Sequence, residues 1–197
     1  MGKFRESQTA LNLHISFAAE AQARTRYNFF ADRARDEGFI QVGKLFDQVA
    51  DQEREHALRF FKFFNGGELP VNWTFPTGVI EDTRSNLLSS ADLEAHVGDE
   101  MYARFADIAR EEGFARAEDT FLAIRVSEQH HEKTFRHLAE EIRSGKLLNR
   151  GEAVQWRCLS CGYIHSGDSA PDKCPACVKP QGYFELLCPP VNRCFVS

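Results

Sequence analysis

The segment YNFFADRARDEGF at residues 27–39 recurs as YARFADIAREEGF at residues 102–114, with nine of thirteen positions identical. The same offset of 75 residues relates three later pairs: Phe46 and Phe121, Glu53 and Glu128, and His56 and His131. Two copies at this period indicate two related helix hairpins, because solenoid repeats are shorter and need more copies.

Around both copies, apolar residues recur at spacings of three and four, which predicts amphipathic helices. We expect four helices, over residues 9–37, 39–64, 82–112 and 114–143. Gly38 and Gly113 follow two of these runs, where a helix C-terminus favours glycine. The proline-containing connection at residues 69–80 lets the second and third helices lie parallel. The sequence therefore predicts a mainly α fold, a ferritin-like four-helix bundle with one long crossover.

The third helix carries one residue more than the repeat predicts. Glu20 precedes Tyr27 by seven residues, whereas Glu94 precedes Tyr102 by eight. A single insertion in a helix is commonly absorbed as a π-bulge, and Gly98 would ease the distortion. We therefore expect a π-bulge between Glu94 and Tyr102.

A cluster of acids and histidines is expected inside the bundle. Residues three apart share a helix face. Glu53 with His56, and Glu128 with His131, can therefore each supply two ligands to the same metal site. Burying four carboxylates together is costly unless they are neutralised, and two divalent cations cancel four charges. Oxygen and imidazole donors favour iron or manganese. The predicted ligands of this di-metal centre are Glu20, Glu53, His56, Glu94, Glu128 and His131.

Two tyrosines occupy equivalent positions about two helical turns from the acids. Tyr27 and Tyr102 could each donate a hydrogen bond to a metal ligand or supply an electron. Core packing is the alternative, since buried tyrosines usually find some polar partner. Both tyrosines are therefore included among the candidate catalytic residues.

A second metal site is expected near the C-terminus. Two Cys-x-x-Cys pairs, Cys158 with Cys161 and Cys174 with Cys177, have the spacing of a tetrahedral four-thiolate site. Spacing alone leaves zinc and iron both open. Cys188 and Cys194 fit neither pair and are expected to be free thiols. The predicted domains are residues 1–146 for the bundle, 147–153 for a linker and 154–197 for a small β-rich metal module.

The charge balance bears on partners and location. The chain has 24 Lys and Arg against 29 Asp and Glu, a formal net charge of -5, which disfavours nucleic acid and anionic membranes. No uncharged apolar run approaches the roughly 18 residues of a membrane span, and the polar start MGKFRESQT differs from a signal peptide. We expect a cytoplasmic protein, in which paired cysteines indicate metal binding rather than disulfides.

Over nearly its whole length, the sequence resembles rubrerythrin, a ferritin-like di-iron domain followed by a rubredoxin-like domain. The motifs that carry the resemblance are FAAEAQAR at 17–24, ADQEREH at 50–56, IAREEG at 108–113, HEK at 131–133, and WRC at 156–158 through FELL at 184–187. The resemblance implies two irons on the six carboxylate and histidine ligands and one iron on the four cysteines. On heterologous expression, we expect that zinc can replace the iron of the four-cysteine site.

The same resemblance implies a function in oxidative-stress defence. The expected activity is that of a non-haem peroxidase that reduces H2O2 to water, with electrons relayed through the rubredoxin-like centre. The expected partners are an NAD(P)H-dependent reductase or a rubredoxin, together with a second copy of the chain in a homodimer or higher homo-oligomer.

One position departs from the family pattern. The family usually carries a further glutamate three residues after the position of Glu94, and this chain has Val97 there. Valine cannot bind metal, so an O2-reactive oxidase, ferroxidase or iron-handling protein is the alternative function. A zinc module on an inert bundle is a weaker third reading, because it leaves four inward acids without neutralisation.

Overall fold

The computed structural model describes residues 2–187 and contains the predicted bundle. A short helix, α1 (Gly2–Arg5), which the sequence did not predict, precedes the four long helical segments. These are α2 (Gln8–Asp36), α3 (Ile40–Phe61), α4 (Thr83–Ala95) continuing through a π-helical segment (His96–Tyr102) into α5 (Ala103–Glu111), and α6 (Ala115–Arg143). The four predicted helices are thus confirmed to within a few residues at each end.

The predicted π-bulge is also confirmed, as the segment His96–Tyr102. Gly98 is buried in this segment at a close approach to α6, where an added Cβ would lie 3.1 Å from the Cβ of Glu128. Asp99 anchors the segment to α6 by accepting a hydrogen bond of 2.7 Å from Gln129 Nε2. The π-helical segment that accommodates the extra residue therefore packs directly against α6, which carries the candidate ligands Glu128 and His131.

The two hairpins are joined by matching contacts at their ends. Glu37, after α2, accepts a hydrogen bond of 2.9 Å from the backbone N–H of Thr83 at the start of α4. Glu112, after α5, accepts one of 2.8 Å from the N–H of Thr9 at the start of α2. Each half of the repeat thus caps a helix of the other half.

The connection between α3 and α4, residues 62–82, contains no helix or strand. It is held against the bundle at two points. Trp73 packs edge-to-face with Phe105 at a centroid distance of 6.0 Å, and Arg26 Nη2 donates a hydrogen bond of 2.8 Å to the carbonyl oxygen of Pro76. The crossover therefore covers one side of α2 and of α5.

Two apolar clusters make up the bundle core. One contains Tyr27, Phe46 and Phe135, and the other contains Tyr102 and Phe121. All five side chains are fully buried, and such aromatic residues supply most of the hydrophobic stabilisation of a small core. None of the helices in residues 2–187 combines the length and apolar character that crossing a membrane requires.

The C-terminal module is a three-stranded antiparallel sheet of order β2-β1-β3. Its strands are β1 (Asn149–Cys158), β2 (Ile164–Ser169) and β3 (Phe184–Leu186), with a short 3-10 turn (Gln181–Tyr183) before β3. Trp156 and Phe184 are completely buried in its core.

Strand β1 begins inside the segment 147–153 that the sequence predicts as a linker. This difference arises because Asn149 pairs with Ser169 on β2, ahead of a register break that ends at Val154. Because the pairing is irregular there, buried and exposed residues do not alternate along the first half of β1, and the sequence lacks the apolar–polar alternation that predicts a strand. Cys188 and Cys194, predicted to be free thiols, lie outside the described residues.

Candidate metal centres

Each long helix of the bundle contributes one buried acid to a single cluster. Glu20 lies on α2, Glu53 on α3, Glu94 on α4 and Glu128 on α6, and none is more than 3% exposed. His56 and His131 lie one turn after Glu53 and Glu128 on the same helix faces. The structure therefore brings together all six residues that the sequence predicts as ligands.

These six residues form two groups of four donors. Glu20 and His56 belong to one group and Glu94 and His131 to the other, while Glu53 and Glu128 belong to both. Within each group, one ligand atom from every residue lies within 4.8 Å of all the others. Two metal ions held this way would share two carboxylates and each have one carboxylate and one imidazole of its own.

The two oxygens of each shared carboxylate point to different histidines. Nδ1 of His56 lies 2.9 Å from Glu53 Oε2 and 3.1 Å from Glu128 Oε1. Nδ1 of His131 lies 3.0 Å from the other oxygen of each acid. This is the arrangement of carboxylates that bridge two metal ions.

Two buried oxygens support a bound cation in this cluster. Oε1 of Glu53 and Oε1 of Glu128 are inaccessible to solvent and lack a well-formed hydrogen bond, because the nearby Nδ1 of each histidine bonds Oε2 of the acid on its own helix. Leaving a buried polar atom unpaired costs about 1–3 kcal/mol, and more for a charged group. The residues present therefore fit a pair of divalent ions, which would coordinate these oxygens.

The proton affinities of the cluster have the pattern expected of a crowded acidic site. Burial, together with the charges of Glu128 and Glu53, raises the pKa of Glu20 well above its ordinary value. Burial and the same two charges do so for Glu94. Burial opposes the charged form of His56, but the close approach of its ring to the carboxylates of Glu128 and Glu53 outweighs it and raises the pKa of His56 to about 11. Cations that bind here must displace protons.

The two tyrosines bind the carboxylates of the opposite repeat. The hydroxyl of Tyr27 on α2 donates to Oε1 of Glu94, and the hydroxyl of Tyr102 donates to Oε1 of Glu20. Burial, followed by the charge of the acceptor, raises the pKa of both phenols well above 10, so they remain hydrogen-bond donors. Of the two functional roles predicted for these tyrosines, the geometry agrees with the first, because each hydroxyl donates a hydrogen bond to a candidate metal ligand.

Gln52 is a further residue of the site, and the sequence analysis did not identify it. Its Oε1 lies 3.0 Å from Nε2 of His131, on the side of the ring away from the carboxylates. Such a partner fixes the tautomer and orientation of a histidine ligand. The repeat contains no signal for this contact, because the residue 75 positions later is Ser127.

The four cysteines of the small module also converge. Sγ of Cys158 lies 3.7 Å from Sγ of Cys177, and Sγ of Cys161 lies 3.6 Å from Sγ of Cys174. Metal–thiolate bonds of about 2.3 Å in a tetrahedron place sulfurs about 3.8 Å apart. The observed spacing therefore fits one tetrahedral metal ion.

Two similar turns hold these cysteines. The backbone N–H of Tyr163 donates to the thiol of Cys161, and the N–H of Lys179 donates to Cys177 in the corresponding position. The bond from Lys179 is the main reason why the pKa of Cys177 is lowered to about 7, whereas the bond from Tyr163 to Cys161 is outweighed by contacts with the other three sulfurs, which raise the pKa of Cys161 to about 12. Backbone N–H groups directed at sulfur stabilise thiolates, the form that binds metal.

Comparison with known proteins agrees with both centres. The rubrerythrin family model matches residues 12–139, and the model for the rubrerythrin rubredoxin-like domain matches residues 156–185. Rubrerythrin from Nitratidesulfovibrio vulgaris is 48% identical over 187 residues, which cover 95% of this chain and 98% of that protein. This chain belongs to the rubrerythrin family. Rubrerythrin from Clostridium perfringens is 42% identical, over 95% of this chain and 98% of the relative.

Solved structures share the fold of this chain. The fully reduced, all-ferrous state of nigerythrin is 28% identical, with a TM-score of 0.62 over 92% of this chain and 90% of that one. Bacterioferritin from Desulfovibrio desulfuricans is 20% identical, with a TM-score of 0.66 over 73% of this chain and 85% of that one. The predicted ferritin-like fold is thereby confirmed.

Membership of the rubrerythrin family also confirms the predicted cofactors. The bundle is the family's di-iron domain, and the four cysteines form its rubredoxin-like metal site. The family is one of oxidoreductases. Val97 lies in the π-helical segment, one turn after Glu94, and contributes no donor to either group of ligands.

Proposed function

We propose that this protein is a non-haem di-iron peroxidase of oxidative-stress defence, with Glu20, Glu53, His56, Glu94, Glu128 and His131 as the iron ligands. The observation that carries the proposal is the sharing of Glu53 and Glu128 between two four-donor groups. Two ferrous ions bound there would supply the two electrons by which H2O2 and two protons become two water molecules.

The residues of the chain have distinct roles in this proposal. Glu53 and Glu128 would each bind both ions, and Tyr27 and Tyr102 keep the two unshared carboxylates in place through their hydroxyl groups. Because these contacts exist before any substrate arrives, little reorganisation is needed when charge redistributes during the reaction.

Electrons enter through the four-cysteine module in this proposal. The donor is an NAD(P)H-dependent reductase or a rubredoxin, and the protein is a cytoplasmic homodimer or higher homo-oligomer. In such an oligomer, the module of one subunit can serve the di-iron site of its partner. Cys158→Ser should leave a single turnover of pre-reduced protein intact and abolish turnover supported by the donor. Unchanged steady-state rates in this variant would refute the relay.

The experiment that tests the peroxidase proposal is anaerobic stopped-flow oxidation of the fully reduced, iron-loaded protein. One equivalent of H2O2 is compared with one equivalent of O2, and absorbance follows both kinds of iron. Fast oxidation by H2O2 and slow oxidation by O2 are expected.

Val97 favours the alternative of oxidase or ferroxidase chemistry, because it removes a carboxylate that the family usually has. Equal or faster oxidation by O2 would support that alternative. Loading with excess Fe(II) separates an enzyme from an iron-handling protein, since the enzyme saturates near three irons per chain and a storage protein retains many.

A further inference from the structure

A cavity of about 120 Å³ lies beside the candidate di-iron centre, beneath the crossover. Helix α2 forms one wall, α4 and the π-helical segment form the other, and the crossover forms the roof. The lining that bears on its use consists of the carboxylates Glu20 and Glu94, the apolar side chains Val97 and Met101, and the aromatic rings Trp73 and Phe75. The cavity thus lies between the unshared ligands of both metal positions and the crossover.

The roof of the cavity is tied down by contacts that leave the space beneath it open. Arg26 donates a hydrogen bond to the carbonyl oxygen of Pro76, and Trp73 packs edge-to-face with Phe105. Trp73 is still 37% exposed, so the crossover is in contact with solvent on its other side. A small molecule therefore has only one layer of chain to pass.

The size and chemistry of the cavity select its occupant. A water molecule occupies about 30 Å³ of liquid, so the space holds roughly four waters or one small solute. Apolar side chains make up most of its lining, and polar groups of both charges interrupt them, so that neither anions nor cations are favoured; these are Glu20, Gln22, Arg26, Thr74, Glu94 and His96. The guanidinium of Arg26 is already hydrogen-bonded to the crossover, and His96 is paired with Glu100 at 3.0 Å. A small neutral molecule that forms hydrogen bonds is the best fit.

We propose that this cavity is the binding site through which the small neutral oxidant reaches the di-iron centre, and that Val97 sets its size limit. This inference rests on the proposed function and names H2O2 as the occupant. A side chain larger than valine at position 97 would fill the space, and a smaller one would enlarge it. Val97 is therefore a residue that determines specificity rather than a ligand.

Val97→Phe tests the proposal, with Val126→Phe as the matched control because Val126 is 66% exposed on α6. Val97→Phe should keep two irons in the bundle. It should lower the second-order rate constant for H2O2 by at least about tenfold, because apolar pockets discriminate between substrates that differ slightly in size by factors of this order. Val126→Phe should react like the unchanged protein. A Val97→Phe protein with full iron and an unchanged rate would overturn the proposal.

A second variant keeps the test valid if Val97→Phe does not fold. Val97→Ala should retain its reaction with H2O2 and raise the rate with cumene hydroperoxide, relative to H2O2, by about tenfold. An unchanged ratio would overturn the size limit.

Crystal structures of the full-length, metal-loaded protein and its variants give a readout that is independent of activity. Ordered water molecules beneath the crossover are expected in the unchanged protein and in Val97→Ala, and none beside position 97 in Val97→Phe. A cavity without ordered water in the unchanged protein would overturn the binding site. If the unchanged protein held water there but failed to react with H2O2, the proposed function and H2O2 as the occupant would both be refuted, and the solvent-filled cavity would remain.

Discussion

Gln52 makes the two histidine ligands unequal, although the repeat makes their carboxylate surroundings alike. His131 is held on both ring nitrogens, by Glu53 and Glu128 at Nδ1 and by Gln52 at Nε2. Within residues 2–187, no side chain hydrogen-bonds Nε2 of His56, which is also more exposed, at 15% against 4%. The metal position that contains His131 should therefore be the more rigid of the two.

Gln52→Leu should weaken one of the two metal equivalents in the bundle by about 10- to 100-fold, the usual effect of removing a hydrogen bond that orients a ligand. The measurement is a titration of the metal-free, full-length protein with Co(II), followed by absorbance. Ser127→Ala, at the equivalent position of the repeat, is the control and should leave both equivalents unchanged. Equal weakening of both equivalents by Gln52→Leu would contradict the assignment.

Val178 has an unusual backbone conformation for a β-branched residue. Its φ is 61°, and Gly162 has φ 78° at the corresponding position, directly after the second cysteine of the other turn. The left-handed region costs a residue other than glycine about 1–2 kcal/mol. One of the two cysteine turns is thus relaxed and the other is strained.

Val178→Gly should stabilise the small module by about 0.5–1 kcal/mol, because relief of the left-handed strain exceeds the extra entropy that glycine has in the unfolded chain. Gly162→Ala should destabilise it by about 1 kcal/mol for the reverse reason. The measurement is denaturant unfolding of the metal-loaded full chain, with thiolate-to-metal absorbance reporting on the module. Loss of stability in Val178→Gly would argue against this account.

Among the structural elements, the helices are fastened to one another by the reciprocal caps of Glu37 and Glu112. Helix α2 has 29 residues and is about 43 Å long at 1.5 Å per residue, so the two caps lie at opposite ends of the bundle. Each carboxylate is partly desolvated, but hydrogen bonds from Thr83 and Thr9 outweigh this and lower the pKa of Glu37 and of Glu112. Both caps therefore stabilise the fold in the ionised form.

Glu37→Ala and Glu112→Ala should each lower the free energy of unfolding by about 1 kcal/mol at neutral pH, and the two losses should add because the sites are far apart. Folding lowers the pKa of both acids from 4.5, so the stabilisation is present above pH 4.5 and is lost as pH falls through the lower, folded pKa. The difference between each variant and the unchanged protein, measured by urea unfolding, should therefore shrink below pH 4.5.

Glu118→Ala is a suitable control for the caps, since the ion pair of Glu118 within residues 2–187 is a long one with Arg110, at 3.6 Å. A long ion pair of this kind contributes little. If the difference between the cap variants and the unchanged protein stayed constant down to pH 3, the ionised carboxylates would not be the stabilising groups.

At the scale of the whole molecule, the small module packs against the bundle at two glycines. A Cβ added to Gly182, in the 3-10 turn, would lie 1.8 Å from the carbonyl oxygen of Gly38, at the end of α2. Gln41 and Leu147 form a hydrogen bond of 3.4 Å nearby, and Arg150 is paired with Glu141. Only glycine permits this backbone approach.

Gly182→Ala should force the two backbones apart, at a cost of about 1–3 kcal/mol, as in other overpacked contacts. We expect faster amide hydrogen exchange around residues 38–41, with the thiolate-to-metal absorbance of the module preserved. Asp168→Ala, on the exposed side of the same module, is the control. Unchanged exchange at residues 38–41 in the glycine variant would mean that this contact does not hold the module in place.

The sequence by itself determined the helices, the internal repeat, the π-bulge and both sets of candidate ligands. These features depend on local physics: the helical period places Glu53 and His56 on one face, and the cysteine spacing predicts a four-thiolate site. A single extra residue between Glu94 and Tyr102 was enough to locate the distortion.

Only the tertiary structure decided which distant residues meet. The crossed bonds from Tyr27 to Glu94 and from Tyr102 to Glu20, the support of His131 by Gln52 and the contact of Gly182 with Gly38 all join residues from different elements. The start of β1 at Asn149 depends likewise on its partner strand. No periodicity or spacing within a segment encodes such contacts, because they arise from how helices, strands and the crossover pack against each other.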